Sequence, residues 1–178
     1  MPSAPAYVAF FVSRQATPRT VVGAYDLSRS LRDARVAVAG GFDAPVERDC
    51  LKFLLRGTQP ILVMPARPLE RFRPPAAWSA AIAGGRLILE SPFTPDERGS
   101  PIANARTRNR ALADRTAAML IAYAHPKGGV ERLALEVLAS RKKPVWTLDL
   151  PENAGLISAG AHAISATKLP ANFTVGLL

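Results

Sequence analysis

The sequence is poor in cysteine, histidine and aromatic residues. Its single cysteine, Cys50, excludes an intrachain disulfide, and together with His125 and His162 it forms no recognisable zinc-binding pattern. Cys50 falls on the face of a predicted helix and is interpreted as a small buried apolar side chain rather than a nucleophile. Aromatic residues make up 7% of the chain, so extensive stacking against nucleic-acid bases is not expected.

Long hydrophobic runs are also missing. No apolar run reaches the roughly 18 residues that a membrane-spanning helix needs. Residues 1–5 (MPSAP) lack the basic region of a signal peptide, so we expect the protein to remain in the cytoplasm. The 178 residues fit one domain, and no linker or repeat divides them. We predict a single domain over 1–178 with its core at about 6–165.

Acidic residues are few relative to basic ones. The chain has 23 lysines and arginines against 14 aspartates and glutamates, which gives a net charge of +9. A surplus of this size favours anionic partners such as nucleic acid, nucleotides or acidic membranes. An arginine-rich composition is also typical of proteins from high-GC bacteria, so the charge alone does not identify the partner.

Short apolar runs alternate with amphipathic stretches along the chain. Strands are predicted over 6–12, 36–39, 61–64, 87–89, 119–123 and 144–148. Helices are predicted over 20–34, 45–55, 75–83, 104–118 and 130–140, with a loop and one short helix near 155–164 after them. This order predicts an α/β protein of Rossmann-like type, with a doubly wound, mostly parallel sheet and helices on both faces. Ligands of such sheets bind beyond the carboxyl ends of the strands.

The residues after the first two strands are therefore candidates for binding an anion. Ser13, Arg14 and Thr17 lie where a helix begins, and helix N-termini and guanidinium groups bind phosphate. A polar loop with Thr17 as helix cap and a solvated Arg14 explains the same pattern. Gly40 and Gly41 follow the second strand and would let the backbone approach a ligand, with Asp43 as a cap for the next helix. A plain turn is the favoured interpretation of the two glycines.

A third candidate segment follows the strand at 119–123. Lys127, Gly128 and Gly129 open a helix and could form a nest for a phosphate. The segment has neither the P-loop pattern nor Gly-x-Gly-x-x-Gly, and no cofactor is predicted. No metal is predicted either, since one cysteine and two histidines form no zinc pattern. A helix start that needs a flexible entry is the alternative.

The densest basic cluster lies at the start of a predicted helix. It comprises Arg106, Arg108, Asn109 and Arg110, with Arg115 further along. Helical spacing puts Arg106 and Arg110 on one face and turns Arg108 elsewhere. Such arginines repel one another unless an anion lies between them. Either Glu97 and Asp114 or a bound phosphate would supply that anion.

Carboxylates are the remaining candidates for chemistry. Asp43, Glu90 and Glu131 could converge at the strand ends, but the sequence does not pair them as acid and base. No Gly-x-Ser-x-Gly elbow is present.

Several of these segments carry a family resemblance. They are residues 12–17 (VSRQAT), 40–43 (GGFD), 59–64 (QPILVM), 87–92 (LILESP), 107–113 (TRNRALA) and 153–161 (NAGLISAGA). In this order they resemble the DNA-processing protein A (DprA/Smf) family, over residues 7–165. The group of Rossmann-like folds around that family includes the LOG phosphoribohydrolases.

The sequence departs from the family pattern at three places. Val12 stands where the family has the glycine of its first turn. The histidine that usually follows Gly-Ile-Asp is replaced near Glu47. Residues 125–129 (HPKGG) come some way toward the Pro-Gly-Gly-x-Gly-Thr-x-x-Glu motif of the LOG enzymes, without its Gly-Thr pair. The flanking domains of many family members have no counterpart, which implies a minimal version of the domain.

The resemblance implies a protein that binds single-stranded DNA in a basic pocket and forms a homodimer. It also implies a RecA-type recombinase as partner, in recombination or DNA uptake. Arg14, Arg108 and Arg110 would contact DNA phosphates, and Gly128 and Gly129 would line the pocket. Catalysis is not required for this role, and a binding protein is favoured over an enzyme.

Two other functions stay open. One is a binder or N-glycosyl hydrolase of a nucleoside monophosphate, with Glu131 as general acid and Arg108 on the phosphate. The other is a partner-binding domain whose pocket has decayed.

Overall fold

Strands and helices alternate through residues 5–173, the region of the chain that the computed structural model describes. The strands are β1 (Val8–Val12), β2 (Val38–Gly40), β3 (Ile61–Val63), β4 (Leu87–Leu89), β5 (Ala118–Tyr123), β6 (Val145–Leu148) and β7 (His162–Ile164). The helices are α1 (Pro18–Asp33), α2 (Pro45–Leu54), α3 (Ser79–Ala83), α4 (Pro101–Arg115), α5 (Gly129–Ser140) and α6 (Ala154–Ser158).

All of these strands pair in parallel in one sheet, in the order β4-β3-β2-β1-β5-β6-β7. The chain builds outward from β1 to β4 and then returns to the other side of β1 with β5. The order therefore reverses between β1 and β5, which is where ligands bind in open sheets of this kind. The predicted Rossmann-like α/β fold is confirmed.

The sheet has a core on each face. Alternate residues of β1 separate Val8, Phe10 and Val12 on one side from Ala9 and Phe11 on the other, and all five are buried. Burial on both faces explains why these strands read as continuous apolar runs. Cys50 is fully buried in the first core, as the sequence predicts.

The last strand was not expected from the sequence. The short helix predicted near 155–164 is present as α6, but it ends at Ser158, and the structure has β7 in the remainder of this segment. In β7 His162 and Ala163 are exposed and Ile164 is buried. A three-residue edge strand with one buried side chain has no apolar run that would reveal it.

Helix starts are set by local capping. Thr17 caps α1 as predicted, its hydroxyl accepting from the Thr20 N–H at 3.3 Å. Ser100 caps α4 in the same way, so α4 begins at Pro101 and not at residue 104. The predicted cap of α2 by Asp43 is wrong, because the N-cap residue is Ala44 without a side-chain bond.

No helix within residues 5–173 combines the length and the apolar character needed to cross a bilayer.

Candidate functional site: an arginine-lined cavity

A cavity of about 1080 Å³ lies beyond the carboxyl ends of the central strands. The loops after β1, β2, β3, β4 and β5 all contribute to its walls, and the first turns of α2 and α5 and the part of α4 up to Asn109 complete it. Its position spans the β1/β5 reversal, where the topology leads one to expect a ligand.

The walls of the cavity are strongly basic. Seven arginines line it: Arg14, Arg48, Arg67, Arg71, Arg106, Arg108 and Arg132. Within the described region of the chain its acidic lining residues are Asp43 and Glu47, and its ion-paired arginine is Arg108 alone. Six of the arginines are exposed, so their charges face water or an incoming anion.

Arg108 differs from the other six because it is 5% exposed. Its Nη1 donates to Asp43 Oδ2 at 3.0 Å and to the Met64 carbonyl oxygen at 3.1 Å, and its Nε donates to Asn109 Oδ1 at 2.8 Å. A guanidinium has five N–H donors, and within residues 5–173 the Nη2 hydrogens have no partner. Arg108 is therefore held in place by three hydrogen bonds.

Gly41 makes room for this guanidinium. A Cβ atom at residue 41 would lie 1.5 Å from Arg108 Nη1 and 2.0 Å from Cζ, which no side chain can accept. Gly40 similarly lies against the ring of Phe42, since a Cβ atom at residue 40 would lie 2.8 Å from the Phe42 ring carbons Cε2 and Cζ. Neither glycine lines the cavity. Both glycines allow close packing of side chains against the backbone, whereas the sequence left a plain turn and an approach of backbone to ligand as alternatives.

Glu47 is buried at the cavity wall, with 6% exposure. The register between β1 and β5 shifts after Phe11, and there the Val12 N–H donates to Glu47 Oε1 at 3.0 Å. Burial raises the pKa of Glu47, while the Val12 N–H and the charge of Arg108 act in the opposite direction. The Val12 N–H is therefore already bonded to the Glu47 carboxyl group. Val12 is the residue at which the pattern of the DprA/Smf family has glycine.

The first turn after β1 is tied to the loop after β5. The Ser13 N–H donates to the Tyr123 carbonyl at 2.9 Å, and the Ser13 hydroxyl accepts from the His125 N–H at 2.9 Å. Arg14 extends from this turn into the cavity lining. Thr17 lies outside the lining, where its hydroxyl donates to Glu152 Oε1 at 3.1 Å.

The loop before α5 brings two glycines to the cavity. Gly128 and Gly129 line it, and a Cβ at residue 128 would lie 2.8 Å from the His125 carbonyl oxygen. Lys127 has a positive φ of 62° and donates its N–H to Glu131 Oε2 at 2.6 Å. Neither Lys127 nor Glu131 lines the cavity.

The arginines at the start of α4 do not point to the cavity in the way that helical spacing alone predicts. Arg106 and Arg108 line the cavity together with Asn109. Arg110 instead forms an ion pair with Glu136 of α5. The shared helical face of Arg106 and Arg110 therefore does not bring both to the cavity, because Arg110 pairs with Glu136. Arg108 reaches the cavity wall through its hydrogen bonds to Asp43 and the Met64 carbonyl.

The predicted internal anions and converging carboxylates also have other partners. Glu97 accepts from the Thr94 N–H at 2.6 Å, and Arg115 pairs with Glu90 at 3.1 Å. Asp43 binds Arg108, and Glu131 binds the Lys127 N–H. Asp43, Glu90 and Glu131 are therefore engaged separately. Among residues 5–173, no three His, Cys, Asp or Glu side chains are placed to hold a metal ion.

Four arginines of the lining were not identified from the sequence. Arg67 and Arg71 belong to the arginine-rich segment after β3. Their place beyond the carboxyl end of a strand is a signal in the sequence that points to the site. Arg48 and Arg132 lie in the first turns of α2 and α5. Their spacing along the chain carries no signal, because only the sheet brings these helices to one cavity.

The chain matches no protein-family model and no curated protein. Among solved structures it is similar to DNA processing protein A from Streptococcus pneumoniae, with 16% identity and a TM-score of 0.68. That match covers 92% of this chain and 59% of the pneumococcal protein.

Two further structures share the fold. DNA processing protein A from Helicobacter pylori, described for its single-stranded DNA binding mode, is 21% identical with a TM-score of 0.68, over 90% of this chain and 75% of that one. The molybdenum cofactor binding protein from Rippkaea orientalis is 13% identical with a TM-score of 0.63, over 92% of both chains. At these identities the likeness is one of fold. The chain has the Rossmann-like fold of the DNA processing A proteins, as its motifs predict.

Proposed function

We propose that this protein binds single-stranded DNA through the arginine-lined cavity, as a binding protein and not as an enzyme. The observation that carries the proposal is the imbalance of charge in the lining, where seven arginines face two carboxylates. One of these carboxylates is paired with Arg108, and burial raises the pKa of the other, Glu47. Phosphates supply most of the affinity in such sites, and a cationic groove follows the strand.

Individual residues have distinct roles in this proposal. Arg108, fixed by Asp43 and the Met64 carbonyl, offers its two Nη2 donors to one phosphate. The exposed arginines around it supply charge to neighbouring phosphates. Gly129, which has open space where a Cβ would stand, leaves room for a phosphate at the N-terminus of α5. Arg110 and Lys127 lie outside the lining and would act only at long range.

The fold likeness adds to the proposal. The Helicobacter pylori protein of this fold is described for its binding of single-stranded DNA. By the same resemblance we propose a homodimer and a RecA-type recombinase as partner, in recombination or DNA uptake. Light scattering that gives a monomer mass at micromolar concentration would remove the homodimer from the proposal.

The decisive experiment is a titration of labelled single-stranded oligonucleotide, followed by fluorescence anisotropy at several salt concentrations. Arg14→Ala and Arg106→Ala each remove one exposed cavity guanidinium. We expect each to weaken binding roughly tenfold, in line with a charged hydrogen bond of about 1.5 kcal/mol. Each should also lower the slope of log K against log salt by about 0.7.

Arg56→Ala is the matched control. Arg56 is exposed and lies between α2 and β3, at the opposite edge of the sheet from the cavity. Its replacement lowers the net charge equally and should leave the affinity almost unchanged. An equal loss in the Arg56 variant, or no binding by the wild type at low salt, would contradict the proposal.

The same titration tests the small-ligand alternative. A nucleoside monophosphate that displaces the oligonucleotide and raises the melting temperature would favour that class of ligand. Release of free base would be needed for a hydrolase, whose proposed acid Glu131 lies outside the cavity lining with its carboxylate on the Lys127 N–H.

A further inference from the structure

Ile102 is the most exposed large apolar residue within residues 5–173. Its exposure is 71%, against 58% for Val22 and 40% for Leu135. It occupies the first turn of α4, and it lines the arginine-rich cavity. An aliphatic side chain left in water among guanidinium groups gains free energy from any ligand surface that covers it.

Ile102 belongs to a stripe of α4 that faces the cavity. Ile102, Ala105, Arg106 and Asn109 follow one another at helical spacing, and all four line the cavity. Pro101 lies beside Ile102 in the same lining. The stripe therefore presents an apolar surface at the start of the helix and a cationic surface in the following turn.

We propose that Ile102 contacts a nucleobase of the bound strand while Arg106 holds an adjacent phosphate. This inference rests on the proposed function and adds the part of the cavity that contacts a base rather than a phosphate. A bare polyanion would engage the arginines and leave Ile102 in water. A nucleotide carries a flat, weakly polar base beside each phosphate, and it can engage both surfaces of the stripe.

The charge of the cavity selects this occupant over a second copy of the chain. The protein carries a net charge of +9, and the cavity that Ile102 lines has six exposed arginines at its rim. Docking of another basic chain at this rim brings like charges together. An anionic ligand with apolar bases removes the repulsion and covers Ile102 in the same step.

The test compares two ligands of equal length and equal phosphate number, an oligothymidylate and an abasic oligonucleotide. Ile102→Ser should weaken the binding of oligothymidylate roughly fivefold, as expected when most of an isoleucine side chain loses its apolar cover. The same variant should bind the abasic strand as the wild type does, with an unchanged salt slope. Because Ile102 is exposed, the variant is expected to fold normally.

Val22→Ser is the matched control, since Val22 is 58% exposed on α1 and does not line the cavity. It should change neither affinity. Equal losses on both ligands, or no loss on either, would overturn the inference and leave the DNA-binding proposal standing. A change of oligomeric state in the Ile102 variant would also overturn it, with a second copy as the occupant. Failure of the wild type to bind either strand would contradict the proposed function itself.

Discussion

Arg108 is an arginine with almost no access to solvent, and distant segments of the chain hold it. Asp43 supplies the counter-charge, Met64 a carbonyl, Asn109 an amide oxygen and Gly41 the space. A buried guanidinium is tolerated when a counter-charge and hydrogen bonds compensate for its lost hydration in this way. Lysine has neither the planar fork nor the five donors, so it is not a conservative replacement here.

Glu47 is the second buried ionisable residue of the cavity, and its environment gives a pH dependence. Burial raises its pKa above the usual 4.5, so the native state holds the proton more tightly than the unfolded chain does. As pH rises above about 4.5 the native state binds more protons than the unfolded state, and the free energy of unfolding falls.

We therefore expect Glu47→Gln to be as stable as the wild type at acid pH and increasingly more stable than it toward neutral pH. The glutamine oxygen can still accept the Val12 N–H. Urea unfolding between pH 4 and pH 8 measures the difference. Glu70→Gln, at an exposed residue, serves as control. Parallel stability curves for wild type and the Glu47 variant would contradict the expectation.

At the scale of the element, α4 is the helix on which the site depends most. Its first half supplies the cavity stripe and Arg108, and Ser100 caps its start. Its other end is closed by Lys143, whose ammonium group donates to the carbonyl oxygens of Ala113 and Thr116. A cation at the last carbonyls of a helix satisfies their unpaired acceptors and interacts favourably with the helix dipole.

Replacing this lysine tests the cap. We expect Lys143→Met to lower the free energy of unfolding by about 1–2 kcal/mol, since two hydrogen bonds from a charged donor are lost. Lys142→Met, at the exposed neighbour, should stay within about 0.5 kcal/mol of the wild type. Chemical denaturation of both variants gives the comparison. Equal effects would show that the contacts of Lys143 add nothing.

At the scale of the whole molecule, one sheet connects two cores. Trp78 and Trp146, the two tryptophans of the chain, both belong to the core on one face. Leu133 of α5 belongs to the core on the other face and is 6% exposed. The same strands contribute side chains to both cores. Loss of packing in one core would therefore expose one face of the strands that also support the other core.

We expect Leu133→Ala to lower the free energy of unfolding by about 2–4 kcal/mol. Tryptophan fluorescence and far-UV circular dichroism should report the same shifted transition, although both tryptophans lie across the sheet. Leu135→Ala, on the same helix at a residue 40% exposed, should cost far less. A fluorescence transition that stays in place while the dichroism shifts would mean that the two faces unfold separately.

The alternation of strands and helices, and the edge of the sheet at which the cavity lies, follow from the sequence alone. Apolar runs such as residues 8–12 are local signals, because neighbouring residues decide them. The basic cluster at the start of α4 is equally local. From these, the α/β fold and the choice of Arg106 and Arg108 as candidate site residues follow without coordinates, and both arginines line the cavity.

Which side chains share the cavity depends instead on the tertiary structure. Asp43 was expected to cap a helix, but its carboxylate instead pairs with Arg108, 65 residues away in sequence. Glu47 is buried and accepts the Val12 N–H, and Arg110 forms an ion pair with Glu136. Strand β7 forms although only one of its residues is buried. Each outcome depends on a contact between distant segments, whose free energy no local pattern encodes.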